Sequence, residues 1–153
     1  MPVLPSTARR VEMNTDAAIN HRIRRRAEER IHYYANHPEQ IEQRLARLDR
    51  EWDIERVLET QAAALALTGT ILGLTRDRRF LAVPALVTAF LLQHALQGWC
   101  PPVPLLRRLG FRTAAEIAAE RAALKALRGD FAAVEKMPNA AERAHSAYHA
   151  ASA

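Results

Sequence analysis

The sequence predicts an all-α protein built around a two-span transmembrane helical hairpin that is flanked by amphipathic helices. Alanine, leucine, arginine and glutamate dominate the 153 residues, and all four favour helix. No alternating run of Val, Ile and Thr bounded by turn residues indicates a strand. Residues 60–106 hold only four charges, all within 76–79, between two highly charged ends. An uncharged middle of this length is typical of membrane spans.

Composition also bounds the function. Residues 1–59 carry eleven arginines and eleven acids, and this neutral balance argues against a nucleic-acid-binding arm. A single cysteine excludes an intramolecular disulfide and a cysteine-paired zinc site. No paired carboxylates, Ser/His/Asp spacing or glycine-rich phosphate loop appears, so we expect no enzyme, cofactor or metal. The first residues do not have the pattern of a cleavable signal peptide.

The N-terminal part predicts a flexible leader over residues 1–13 and amphipathic cytoplasmic or interfacial helices over residues 14–56. The first helix, over 16–35, has apolar residues at helical spacing: Ile19, Ile23, Ala27, Ile31 and Tyr34. Pro38 separates it from a second helix, over 39–58, whose apolar stripe is Ile41, Leu45, Leu48 and Trp52. Both stripes fit helices lying on a partner or a membrane surface.

A basic patch on the first helix consists of Arg22, Arg24, Arg25, Arg26 and Arg30. These side chains could contact anionic headgroups or nucleic acid. Because Glu28 and Glu29 dilute the patch, we expect a solvated or headgroup-facing surface.

The two spans are predicted at about 57–75 and 80–100. Sixteen uncharged residues between Glu59 and Arg76 extend about 24 Å as helix, and adding residues 57–59 brings the length close to a hydrocarbon core of roughly 30 Å. The twenty-one uncharged residues of 80–100 are long enough to cross, and the link TRDRR permits only an antiparallel hairpin. A buried pair of helices in a soluble protein is the alternative.

Side chains of the interfacial type stand at both ends of each span. They are the expected membrane-interface anchors Trp52, Arg76, Arg78, Arg79, Trp99, Arg107 and Arg108. Seven arginines flank the outer ends of the hairpin and three lie in its loop, so the positive-inside rule favours both termini in the cytoplasm.

The C-terminal part predicts one more amphipathic helix over residues 113–134, followed by a disordered tail over 135–153. Thr113 and Glu116 form a capping-box pattern at its start, and Gly129-Asp130 indicates its end. Its apolar stripe is Ile117, Leu124, Leu127 and Phe131.

Residues 55–112 carry a family resemblance. The start Glu55-Arg56, the stretch TGTILGL and the exit GWCPPVPLLRRLG resemble a small bacterial inner-membrane two-helix family, which also forms the membrane tail of the YgaP-type rhodanese. The resemblance implies a multi-pass helical hairpin in the inner (plasma) membrane that can dimerise. The residues given ahead of the hairpin do not have the pattern of a rhodanese domain and the sequence has a single cysteine, so we expect no sulfurtransferase activity.

Two sets of residues in the spans are candidate sites. A small-residue face for helix packing or oligomerisation consists of Ala62, Ala66, Gly69 and Gly73. It either mediates a homodimer or seats the second helix of the same hairpin. A polar and thiol set consists of Gln93, His94, Gln97 and Cys100. The polar three either sit at the interface or form a seam for a small solute.

Cys100 is either an inert small apolar side chain or a thiol that forms a persulfide or disulfide. His145 and His149 are spaced to share a helix face, but two histidines make a poor metal site. The sequence thus predicts a non-enzymatic inner-membrane protein that anchors, oligomerises or presents a membrane or cytoplasmic protein partner. The alternatives are a small oligomeric conduit or sulfur-linked redox accessory, and a soluble helical interaction module.

Overall fold

The computed structural model describes residues 9–152, apart from the side chain of Glu135, and every regular element within them is helical. The predicted all-α class is confirmed. The α-helices are α1 (Arg10–Met13), α2 (Ala17–Ala35), α3 (Ile41–Leu48), α4 (Ile54–Thr75), α5 (Ala82–Gln97), α6 (Val103–Leu109), α7 (Ala114–Arg128), α8 (Ala132–Lys136) and α9 (Ala140–Ser152). Short 3-10 turns at Pro38–Gln40 and Arg78–Leu81 lead into α3 and α5.

The chain forms two compact units. The first unit comprises residues 9–23 and 52–115, and the second comprises residues 24–51 and 116–152. These units cut across the predicted segments 14–56, 57–112 and 113–134, because each unit combines parts of more than one of them. The physical reason is that residues far apart in sequence bury their apolar side chains in the same core within each unit.

The first unit has a core made where α1, the start of α4 and α6 meet. Its buried residues are Val11, Ile54, Val57, Leu58, Cys100, Val103 and Leu106, with Phe90 and Phe111 packed against them. A backbone hydrogen bond of 2.9 Å from Ile54 N to Arg112 O also ties the start of α4 to the segment after α6. This core therefore lies beside the polar ends of the apolar helices.

The segment predicted as a flexible leader, residues 1–13, is only partly described. Residues 1–8 lie outside the described range, but residues 10–13 form α1, and Val11 is 1% exposed. For residues 10–13 the prediction is wrong, because one buried valine fixes a short helix to the core. Sequence reasoning could not see this contact, since its partners lie more than forty residues away.

The helix predicted over 39–58 is interrupted. α3 ends at Leu48, and α4 begins after Asp53, whose carboxylate accepts a 2.7 Å hydrogen bond from Arg56 N. Aspartate at this position is a strong helix start signal. Trp52 therefore lies between two helices and does not continue the stripe of α3.

The second unit buries the amphipathic stripe of α3 within the protein. Its core consists of Ile41, Leu45, Leu48, Ile117 and Leu124, with Tyr34 packed against it. The expectation that this stripe lies on a membrane or a partner is therefore wrong for α3. An intramolecular partner, the predicted third amphipathic helix, covers it instead.

The tail predicted as disordered over 135–153 is helical from Ala140 to Ser152. Asn139 caps α9, because its side-chain oxygen accepts a 2.9 Å hydrogen bond from Glu142 N. The buried Lys125 donates to Ala150 O at 3.1 Å and to Ala151 O at 2.7 Å. These carbonyl groups lie at the C-terminus of α9, where the helix dipole stabilises a positive charge. The alanine-rich sequence was a helix signal, and the prediction underweighted it.

Candidate functional site

Two helical stretches are long and apolar enough to cross a bilayer: Ile54–Thr75 and Arg78–Gln97. Only 22% of the most apolar window of the first, and 6% of that of the second, is buried. The large side chains left exposed are Leu65, Leu67, Ile71 and Leu74 on α4 and Leu86, Leu92 and Leu96 on α5. Soluble monomers rarely expose so extended an apolar surface. These outward faces are the most prominent feature of the described chain.

Four threonine hydroxyls within these helices are hydrogen-bonded to their own helix. Thr68, Thr70, Thr75 and Thr88 each donate to the carbonyl oxygen four residues earlier, at 2.7–2.8 Å. A hydroxyl bonded in this way needs no water. These four threonines therefore fit an apolar surrounding as well as an aqueous one.

The glycines of the small-residue face receive the second apolar helix of the same chain. A Cβ on Gly69 would lie 2.7 Å from Pro84 Cδ and 2.8 Å from Val83 Cβ. A Cβ on Gly73 would lie 2.5 Å from Leu81 Cδ2. These two positions are buried by intramolecular packing, whereas Ala62 and Ala66 are half-buried. The geometry supports the reading in which this face seats the second helix.

The C-terminal end of α5 is capped by α1, a contact that the sequence did not predict. Arg10 Nη1 donates to Ala95 O at 3.1 Å, and Asn14 Nδ2 donates to Gln97 O at 2.8 Å. The last carbonyl groups of a helix lack partners within it and carry partial negative charge. A guanidinium and an amide from the N-terminal segment supply the missing donors.

Close approach of α1 requires glycine at position 98. Gly98 ends α5 at φ +75°, and a Cβ there would lie 2.6 Å from the backbone carbonyl carbon of Arg10. Position 98 therefore requires glycine for two reasons: its backbone is left-handed, and α1 of the same chain leaves no space for a Cβ. The sequence signal was available, since glycine commonly follows the last helical residue.

Replacing Gly98 with alanine is expected to release α1 from α5. The left-handed backbone costs an alanine about 1–2 kcal/mol, and the added Cβ also collides with Arg10. Hydrogen exchange of the amides of residues 11–15 should accelerate by more than the roughly tenfold that the backbone term alone would give. Gly110→Ala is the matched control, because Gly110 has φ +95° and nothing within 4 Å of its Cβ position. Equal exchange of residues 11–15 in both variants would contradict the close contact.

The polar set of the second span does not form one continuous seam. His94 is 4% exposed, Gln93 is half-buried and Gln97 is exposed. Within the described residues, neither ring nitrogen of His94 has a hydrogen-bond partner, and the same holds for Arg10 Nε. A buried histidine without partners departs from the usual satisfaction of buried polar groups.

Cys100 is buried in the core of the first unit and is 4% exposed. It also borders an apolar pocket of about 220 Å³ between α4, α5 and the two prolines that follow it. No base or cation is placed at its sulfur by any described contact. The arrangement fits a packed small side chain better than a reactive thiol.

The predicted interface anchors differ in exposure. Arg76, Arg78, Arg79 and Arg108 are exposed, and Trp99 is half-buried. Trp52 is exposed, with the guanidinium carbon of Arg56 4.5 Å from its ring centroid. Both tryptophans stand beside the polar ends of the apolar helices.

Arg107 was predicted as a membrane-interface anchor. It is fully buried, so it cannot have that role. Its Nη2 donates to Asn20 Oδ1 at 2.8 Å, and its Nη1 donates to Phe111 O at 3.1 Å. Asn20 in turn donates to Glu12 O at 2.8 Å. Arg107 thus joins α6 to the start of α2, and its fixed array of donors suits that task better than lysine would.

The buried carboxylate of Glu120 forms ion pairs with Arg30 and Arg44 in the second unit, an arrangement called here the Glu120 clamp. Glu120 of α7 is 1% exposed, and its two oxygens accept from Arg30 Nη2 and Arg44 Nη2, each at 2.7 Å. The hydrogen bond to Glu120 raises the pKa of Arg30 above its ordinary value. Arg30 was predicted as part of a solvated or headgroup-facing patch, and for this residue that is wrong. The other members, Arg22, Arg24, Arg25 and Arg26, are exposed.

Histidines of the C-terminal helix pack against each other. The rings of His145 and His149 meet edge to face with centroids 4.3 Å apart. Within residues 9–152, no three His, Cys, Asp or Glu side chains are grouped in a way that could hold a metal ion.

Comparison with known proteins returns no match: no family model, no curated protein and no solved structure is similar to this chain.

Proposed function

We propose that this protein is a non-enzymatic integral protein of the bacterial inner membrane that anchors or scaffolds a protein partner. The two apolar stretches cross the bilayer as a helical hairpin, and both termini lie in the cytoplasm. The second unit, with its many charged side chains, is the part offered to a membrane or cytoplasmic protein partner. Neither nucleic acid nor a cofactor takes part.

The observation that carries the proposal is the exposure of the apolar helices. Core helices of a soluble protein are mostly buried, whereas only 22% and 6% of the most apolar windows of these two helices are buried. A bilayer is the solvent that favours such faces, since backbone groups within a helix are already paired. The internally bonded threonine hydroxyls support the same conclusion.

Topology follows from the charges that bracket the stretches. Arginines at the outer ends outnumber those of the connecting segment by seven to three, which favours a cytoplasmic location for both ends. The exposed Arg76, Arg78 and Arg79 would then reach the opposite headgroups. A two-helix family of the kind that the motifs of residues 55–112 resemble would have the same multi-pass arrangement.

Extraction of bacterial membranes with alkaline carbonate tests the proposal. We expect the full chain to remain with the membrane pellet and to enter solution only with detergent, because two spans are held by burial of apolar surface. A known peripheral protein in the same membranes serves as the control for release. A chain that carbonate releases, and that then stays monodisperse without detergent, would favour the alternative of a soluble helical interaction module.

Dimerisation through the glycine face is less well supported than anchoring. Gly69 and Gly73 are already covered by the chain's own second apolar helix, so their contacts give no support for a homodimer through these two glycines. The buried Cys100 likewise gives no support to a sulfur-linked redox role.

A further inference from the structure

The apolar pocket beside Cys100 lies wholly within the first unit, between α4 and α5. Its wall includes Leu58, Ala62 and Leu65 of α4 and Phe90 and Leu91 of α5. Leu58 and Cys100 also belong to the core of the first unit, so the pocket adjoins that core at the polar end of the two helices. Leu65 is 54% exposed, so the pocket also reaches their outer surface.

The size and wall of this pocket suit a slender apolar ligand. An apolar cavity of about 150 Å³ stays free of water and already binds a molecule as large as benzene. Pockets for drug-sized ligands are larger, roughly 300–1,000 Å³. A volume of about 220 Å³, walled almost entirely by apolar side chains, therefore fits a short length of hydrocarbon chain better than water or a bulky ligand.

The surroundings supply such chains. In the arrangement proposed above, the exposed faces of α4 and α5 meet the acyl chains of the bilayer, which are present there as the solvent. The inference that follows rests on that proposed function.

One polar side chain, that of Gln61, stands on the wall of the pocket. Gln61 follows Ile54, the first residue of α4, by seven positions, so it lies about 10 Å along the helix from the polar end. The polar layer of a bilayer is roughly 5–8 Å thick on each side, so this depth is close to the ester groups that join headgroup and chains. An amide at that depth needs a hydrogen-bond partner, and an ester carbonyl is a suitable acceptor.

We propose that this pocket binds one acyl chain of an ester-linked phospholipid, with the Gln61 amide donating to the ester carbonyl. The first carbons of the chain pack against Ala62 and Phe90, and the rest of the chain leaves past Leu65 into the bilayer. Cys100 contributes apolar wall and no chemistry. The bound chain extends the core of the first unit into the membrane, and this lipid is held more tightly than its neighbours.

Native mass spectrometry of the full chain tests the proposal. The protein is reconstituted in vesicles of phosphatidylethanolamine and phosphatidylglycerol, extracted in a mild detergent and followed while detergent exchange removes bound lipid. We expect one phospholipid to remain on each chain after the others are lost. A chain that loses its last lipid as readily as the others would overturn the proposal.

A photoactivatable phospholipid locates the site in the unmodified chain. With a diazirine in the acyl chain close to the ester, attachment should concentrate on residues 58–65 and 87–91. It should exceed attachment to Leu74, which is 76% exposed near the opposite end of α4. Equal attachment to all exposed apolar residues would mean that lipid contacts the helices without a site.

Ala62→Phe is expected to abolish retention of the lipid, because the added ring fills the space of the chain. Ala64→Phe is the matched control, since Ala64 is exposed on α4 and does not line the pocket. Resistance of both variants to carbonate extraction shows that they are still inserted. Equal lipid retention in the two inserted variants would contradict this location.

Gln61→Leu tests the contact with the ester. Loss of one hydrogen bond should weaken retention of an ester-linked phospholipid about fivefold and leave an ether-linked analogue unaffected. Gln97→Leu is the control, because Gln97 is exposed at the end of α5 and does not line the pocket. Unchanged retention of the ester-linked lipid in Gln61→Leu would contradict the assigned contact.

Carbonate extraction separates failure of this site from failure of the anchoring role. A carbonate-resistant chain that retains no lipid would overturn the site and leave the proposed function standing. Release by carbonate would overturn both. A lipid-free dimer that disappears in Ala62→Phe would show that a second copy of the chain fills the pocket, which would also overturn the lipid site.

Discussion

Replacing Glu120 with glutamine is expected to lower the free energy of local unfolding of the second unit by about 3 kcal/mol. Removing one partner of a buried ion pair typically costs about 3–5 kcal/mol, because the remaining charge stays buried without compensation. The lower end applies here, since Arg44 and Arg30 keep side-chain exposures of 14% and 33%. Hydrogen exchange of α3 and α7 amides should accelerate roughly 100-fold.

Glu28→Gln is the matched control for this change. Glu28 is exposed on α2, so the same chemical substitution should change the free energy by no more than about 0.5 kcal/mol. Similar exchange in both variants would contradict a structural role for the Glu120 clamp.

The pH dependence of the clamp follows from Arg30. Its pKa is raised above its ordinary value by the hydrogen bond to Glu120, so its contribution to stability is present at all lower pH values and is lost only as the pH rises through the raised pKa. Titration of Arg30 therefore contributes no change in stability between pH 5 and 9, a range in which both variants can be compared directly.

Replacing Leu67 with arginine is expected to impair membrane insertion. Leu67 lies near the centre of α4 and is 63% exposed. In hydrocarbon, exchange of leucine for arginine at a helix centre costs roughly 3 kcal/mol, whereas on a soluble surface the change would be nearly neutral. The carbonate-resistant fraction of the chain should fall, and with it the amount that accumulates in membranes.

Leu109→Arg provides the comparison outside the apolar stretches. Leu109 is 67% exposed at the end of α6, so arginine there should leave the membrane-bound fraction unchanged. If Leu67→Arg behaves like Leu109→Arg, the apolar face of α4 does not meet hydrocarbon.

Local signals in the sequence located most helices. The uncharged stretches predicted α4 and α5, Pro38 predicted the start of the second helix region, and Gly129 predicted the end of α7 at Arg128. Where local reasoning failed, two helix caps had been passed over. Asp53 starts α4 inside the region predicted as one continuous helix over 39–58, and Asn139 starts α9 in the tail predicted as disordered. These errors were in the weighting of propensity and capping.

A different kind of error concerned which arginines form contacts within the protein and which lie at its surface. Arg30, Arg44 and Arg107 look from the sequence like surface or interface arginines, because arginine is rarely buried. Their partners Glu120 and Asn20 lie 76 to 90 residues away. The capping of α5 by Arg10 likewise depends on residues 85 positions apart in the sequence.

The sequence by itself determined the helical class, the two apolar stretches and the points at which several helices begin and end. These properties depend on residues within a few turns of each other, through hydrogen bonding, propensity and hydrophobic pattern. Only the tertiary structure decided which charges are buried in pairs, which glycines contact a neighbouring helix and that His94 is buried. Each of these features depends on contacts between residues that are far apart in the sequence, and a local sequence pattern carries no information about such contacts.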